Sequence, residues 1–120
     1  MISGVVQGLI PIVPLVLEDR GGGLAQFRFA VDTGFNGFLS LPPADLQRLG
    51  LTPAGEEVVT LVDGSNQSRR AYRAVVHWRD ERHEVRVLET GLPLLGMALL
   101  SGNRIAIDVV EGGPVSVEPL

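Results

Sequence analysis

Residues 29–41 read Phe-Ala-Val-Asp-Thr-Gly-Phe-Asn-Gly-Phe-Leu-Ser-Leu. An apolar run enters Asp32-Thr33-Gly34, and apolar residues leave it. Such flanks pull the turn between them inward, where an isolated ionised carboxylate is costly unless it is hydrogen-bonded or paired. A structural Asp belongs on the outer corner of a turn, as the first residue of a β-turn that Gly closes. An Asp drawn toward the interior is a candidate for chemistry. Asp-Thr-Gly by itself arises by chance in about 2–3% of chains of this length, so its weight depends on the rest of the chain.

Working outward, Ile10 to Glu18 is apolar and β-branched, and its Pro11 and Pro14 suit an edge or outer strand. Glu18 to Gly23 is a turn by composition. Leu24 to Val31 alternates, with Phe27, Phe29 and Val31 on one face and Gln26 and Arg28 on the other, the pattern of a half-buried strand. Phe38 to Leu41 is a short strand returning from the Asp32 turn. Pro42 to Gly50 reads as a short helix, with proline in its first turn and Gly50 placed to close it. Glu57–Val62 and Ala71–Trp78 are expected strands around a polar turn, Asp63 to Ser68. Arg79 to Arg82 is a charged tip, from which Glu84 to Leu88 returns with Val85 and Val87 facing in. The apolar run Leu92 to Leu100 reads first of all as core. Asn103–Val110 and Val115–Val117 are strands around a Gly112-Gly113-Pro114 turn. The sum is mainly β, with two short helices, which suggests a small barrel or sandwich. A faint internal echo, apolar strand then glycine turn then short helix, occurs at 29–49 and again at 92–101.

At 120 residues the chain is expected to form one domain, 1–120. It has no cysteine, which excludes disulfides, thiol chemistry and cysteine-ligated zinc. It has no lysine, which removes a phosphate-loop lysine and a lysine Schiff base. His77 and His83 lack a third partner for a metal, so no metal site is expected. A net charge of −4 argues against nucleic acid, whose phosphates supply most of such affinity. Arg69, Arg70 and Arg73 read as a solvated hairpin face. No basic stretch precedes the apolar N-terminus, and prolines interrupt it, so neither a signal peptide nor a membrane span is expected. The expected location is cytoplasmic.

About sixty residues after Asp32 comes Leu92-Pro93-Leu94-Leu95-Gly96, followed by the short helical stretch Met97 to Leu100. These motifs, in this order, resemble the retropepsin-like aspartic proteases, over roughly residues 5–118. The resemblance implies a small closed acid-protease barrel with one or two short helices and a β-hairpin flap. It implies that Asp32 is catalytic, that Thr33 bonds across a two-fold axis, and that Gly34 allows the tight turn. It makes Leu94, Leu95 and Gly96 the brace beneath that turn, and Asp63, Gly64 and Ser65 the substrate-binding flap. It implies no cofactor.

Peptide hydrolysis of this kind needs two carboxylates sharing one proton, since like charges about 3 Å apart do not both ionise easily. One carboxylate draws a proton from water, and the protonated partner polarises the scissile carbonyl. The chain holds a single Asp-Thr-Gly, so the arithmetic demands two chains. The expectation is a homodimeric aspartic endopeptidase acting on peptide or protein, with no nucleic-acid or membrane partner. Its apolar terminal segments, Ile2–Val6 and Val115–Val117, are expected to pair across the axis. The chain departs from the family at Phe35, where a small residue is usual, at Asn36, and in a flap with a single glycine. Phe35 brings an apolar ring and no hydroxyl to the turn, so activity is expected at mildly acidic to near-neutral pH. Two rival readings stand: a catalytically inactive peptide-binding or dimerisation module of the same fold, and an unrelated ligand-binding β-barrel.

Overall fold

A computed structural model describes residues 1–120. The elements, in chain order, are β1 (Ile2–Gln7), β2 (Ile10–Glu18), β3 (Leu24–Val31), β4 (Leu39–Leu41), α1 (Pro43–Leu49), β5 (Thr52–Thr60), β6 (Asn66–Trp78), β7 (Glu81–Glu89), β8 (Leu94–Leu95), α2 (Met97–Leu100), β9 (Asn103–Ile107) and β10 (Pro114–Pro119). The protein is mainly β, with two short helices. One sheet runs β5-β6-β7-β4-β8-β3-β2-β1-β10-β9, and a further β6–β2 pairing closes its middle strands on themselves. The circuit β2-β3-β8-β4-β7-β6 is therefore a small barrel, from which β5 extends on one side and β1-β10-β9 on the other.

The alternation in the sequence explains the inside of this barrel. Phe27 and Phe29 of β3 are buried, while Gln26 and Arg28 between them are exposed. Val13, Leu15 and Leu17 of β2, Val76 and Trp78 of β6, and Val85 and Val87 of β7 point inward in the same way. Leu46 and Leu49 bring α1 onto this core, and Leu99 and Leu100 bring α2. Full burial of such aliphatic side chains contributes about 1.5–3 kcal/mol each. Gly50 ends α1 at φ 63°, its N–H bonded to the carbonyls of Leu46 and Gln47, the left-handed stop that glycine allows.

Three expectations need correction. First, β2 is a central strand, not an edge. It pairs with β3 along its length, while its other side is shared between β1, at Ile10–Ile12, and β6, at Val16–Leu17. Pro14 falls in the gap between those two partners, and Pro11 lies one residue beyond the last β2–β3 pair, Ile12 with Ala30. Neither ladder needs the N–H that proline lacks. Second, the terminal segments pair with each other inside one chain. β1 lies between β2 and β10, and β10 between β1 and β9, so both have their two sides filled. Third, the hairpin strands are longer than expected. β5 and β6 pair from Thr52–Arg73 to Thr60–Asn66, which shortens the tip to Leu61–Ser65. Asn66 to Arg70 is polar on both faces because both are wet, and it therefore carries no alternation to read.

The barrel closure is narrow, and an ionic clamp sits on it. Only Val16–His77 and Leu17–Val76 are in register between β2 and β6. Next to them Glu18 accepts from Arg82 through both carboxylate oxygens, at 2.6 and 2.8 Å, and lies 2.8 Å from His77 Nε2. The Arg82 bonds first, and then that of His77, hold the Glu18 carboxyl at about 2, below its ordinary 4.5. A carboxyl lowered in the folded state stabilises the fold above its unfolded pKa, and that contribution disappears as pH falls through the folded value. Wild-type stability, relative to Glu18→Gln, should therefore be constant above about 4.5 and decline toward about pH 2. Urea midpoints of the two proteins across that range test this; parallel curves would remove the clamp from the closure.

Candidate active site

Asp32 follows directly on β3, and its surroundings are made almost wholly by backbone groups. β8 is inserted between β3 and β4, parallel to the first and antiparallel to the second. The Asp32 N–H donates to the carbonyl of Leu95 at 3.0 Å, and the Phe35 N–H donates back to the carbonyl of Asp32 at 3.1 Å, closing a turn. Within it Asp32 Oδ1 accepts the N–H of Gly34 at 2.9 Å, the side-chain-to-backbone bond common to Asp in turns. Beyond the turn, Gly96 donates to Phe38, Met97 to Phe35 and Ala98 to Gly37, at 2.9, 2.8 and 3.1 Å. The last two satisfy N–H groups at the start of α2, which have no partner within the helix. The turn is thus fastened to β8 and α2 along its length.

Leu95 and Gly96 are buried and Leu94 is half-buried, while Asp32 is half-exposed and Thr33, Gly34 and Asn36 are exposed. The turn is therefore not drawn into the interior, as its flanks suggested. Its flanks are buried, but the turn itself projects past the end of the β3–β8 ladder. Asp63, Gly64 and Ser65 lie at the exposed tip of the β5–β6 hairpin. Gly64 has φ 85° there. Asp63 Oδ1 accepts from both the hydroxyl and the N–H of Ser65, at 2.6 and 2.9 Å. These bonds, the hydroxyl's first, push the Asp63 carboxyl below its ordinary range. The main clefts of the chain are elsewhere: one of about 430 Å³ between Pro43, Arg69, Arg70 and Glu89, and one of about 320 Å³ between Glu18, Gly50, Leu51 and Arg73. Neither is lined by Asp32.

Two features of the site were missed in the sequence. Ser40 is fully buried; its hydroxyl donates to the carbonyl of Leu92 at 2.8 Å and accepts the N–H of Leu94 at 3.1 Å. It steers the chain into β8, and its signal was a lone hydroxyl inside Phe38-Leu39-Ser40-Leu41. Phe35, which looked like a misfit, is a filler. A Cβ on Gly37 would come within 2.5 Å of its ring, and one on Gly96 within 2.7 Å. The ring occupies the space that these two glycines leave.

That packing has a measurable consequence. A Cβ on Gly96 would also stand 2.1 Å from the carbonyl oxygen of Gly37, which is backbone and does not step aside. Gly96→Ala should cost about 3 kcal/mol, and Phe35→Ser, which leaves a void where the half-buried ring stood, about 2 kcal/mol. Trimming Phe35 should not rescue Gly96→Ala. Denaturant midpoints of the single and double variants decide this, and full rescue would show that the ring, not the backbone, sets the need for glycine.

Among known proteins, a family described as aspartyl protease matches residues 16–99. No curated protein matches the chain significantly, and no solved structure does. The matched segment runs from β2 to α2 and holds the β5–β6 hairpin together with the Asp32 turn and β8, which backbone bonds join. The chain belongs to the retropepsin-like aspartyl protease family.

Proposed function

We propose that this protein is a homodimeric aspartic endopeptidase, with one Asp32 from each chain forming the reacting pair. The observation that carries the reading is the position of Asp32: on an intact Asp-Thr-Gly turn, fastened through Leu95, Gly96 and α2, and presented at the surface of one chain. A second copy would enclose that turn and supply the missing carboxylate. Thr33, exposed beside it, would bond across the axis.

In this reading one Asp32 is ionised and its mate protonated. The ionised carboxylate takes a proton from a water molecule, whose oxygen bonds to the scissile carbonyl carbon. The protonated carboxyl gives its proton to the carbonyl oxygen. Collapse of the tetrahedral intermediate breaks the C–N bond: the leaving nitrogen takes a proton from the pair, and one hydroxyl of the intermediate returns its proton to the pair as the C=O bond reforms. The hairpin carrying Asp63, Gly64 and Ser65 would close over an extended peptide and offer it backbone groups.

Asp32→Asn keeps the size of the side chain and removes its ionisable group, so peptide cleavage should vanish while the fold persists. Activity within tenfold of wild type would refute the role of Asp32. Specific activity should also fall on dilution, in step with dimer dissociation followed by sedimentation; undiminished cleavage by a monomer would sink the shared site. Because Phe35 brings no hydroxyl to the turn and packs a ring within its loop, the pH–rate profile should peak at mildly acidic to near-neutral pH. A maximum in strong acid would remove that inference.

A further inference from the structure

Five strand ends meet at one end of the sheet. β3 ends there just before Asp32, β2 begins there at Ile10, β1 ends at Gln7, β10 begins at Pro114 and β9 ends at Ile107, since each neighbour is antiparallel to the last. Ile10 and Asp32 each lie two residues past the last β2–β3 pair, Ile12 with Ala30, at the same end of the two strands. The strands are about 4.8 Å apart, so the loops joining them form one row with the Asp32 turn.

This row carries four exposed aliphatic side chains: Leu9, Ile10, Val109 and Val110, with 69%, 48%, 68% and 61% of their surface open. Single exposed apolar residues are ordinary, but a group of them on one surface marks a contact. The two loops that bear them are tied together, Gly8 N–H donating to Glu111 Oε2 at 2.9 Å and Gly112 N–H to the carbonyl of Val6 at 2.8 Å. Leu9 is also in an unfavourable backbone state. Gly8 and Leu9 are the two central residues of the β1–β2 turn, with φ 58° and 60°. Such turns strongly favour Asn, Asp or Gly, and a leucine there is strained. The turn therefore holds a bulky aliphatic group in solvent against both its local preference and its hydration.

We propose that Leu9, Ile10, Val109 and Val110 are the apolar part of the contact between two copies of this chain. The occupant follows from position, and rests on the reading of Asp32 as one half of a shared pair. A second copy that brings its Asp32 turn to this one approaches the end of the sheet that carries this row, and an isologous contact needs a self-complementary surface of this kind. Aliphatic side chains, free of charge, suit the centre of such a contact.

The test is Leu9→Asn, with Val110→Asn as a second variant and Leu24→Asn as control. Leu24 is 64% exposed and lies at the opposite end of β3, paired with Glu18. Sedimentation over a concentration series should show the dimer dissociation constant rising about tenfold or more for Leu9→Asn and Val110→Asn, and less than about twofold for Leu24→Asn. Because asparagine suits the turn, Leu9→Asn should unfold at an equal or higher denaturant concentration when measured as monomer. That combination separates a lost contact from a damaged fold. Unchanged dissociation constants, with dimeric and Asp32-dependent cleavage intact, would overturn the proposal while leaving the shared site standing. A wild-type monomer whose Leu9 instead drives binding to neutral phosphatidylcholine vesicles would overturn both.

Discussion

The two-residue strand β8 is the constraint on which the rest depends. Placed between β3 and β4, it takes the N–H of Asp32 on one side and leads through Gly96 to the carbonyl of Phe38 on the other. Its insertion separates two segments that are consecutive in sequence. The chain must therefore leave β3, project as a turn, pass over β8 and return as β4. Asp-Thr-Gly is that projection. The glycines follow from the same crowding: Gly96 and Gly37 allow backbone to approach backbone, and Phe35 fills what they leave open.

How much of this was legible depended on whether side chains or backbone did the work. Phe27, Phe29, Val85 and Val87 were read correctly because alternation reports burial directly. α1 was readable from Pro43 and Gly50, whose own geometry sets its ends. The long hairpin was not, because Asn66–Arg70 pairs with β5 in solvent on both faces. The prolines of β2 misled, because a strand with two different partners on one side has a gap that looks like an edge from within the sequence. At the site, the resemblance pointed to Leu94, Leu95 and Gly96; the Leu95 carbonyl bonds the Asp32 N–H and Gly96 packs against the Phe35 ring, while Leu94 lies beside Ala30 and Ser40. The carbonyls of Phe35, Gly37 and Phe38 that fasten it belong to no residue type and leave no trace in composition.

The placement of Asp32 accounts for an apparent mismatch in the single chain. Its larger clefts are lined by Arg69, Arg70, Arg73 and glutamates, while the carboxylate with the family motif is on a projecting rim. The rim also carries the start of β2, a barrel strand, and ends of β1, β9 and β10, strands that belong to the barrel's extension. Pairing of β1 with β10 inside one chain means that the two termini are held without help from another copy. Any association is then left to loops and to the unpaired sides of the two terminal strands of the sheet, β5 and β9.

The parallel pairing of β3 with β8 joins Ala30 to Leu94, about sixty residues apart in sequence. Contacts of that span form slowly, since a long loop must be closed before any of them is rewarded. During synthesis the Asp32 turn emerges early, yet it has no Leu95 to bond and no α2 to hold its carbonyls until the final third of the chain is made. The β2–β3 and β6–β7 hairpins can assemble before then. The turn that bears the carboxylate is consequently among the last parts of this fold to acquire a fixed shape, and the order of residues along the chain sets when that shape is reached.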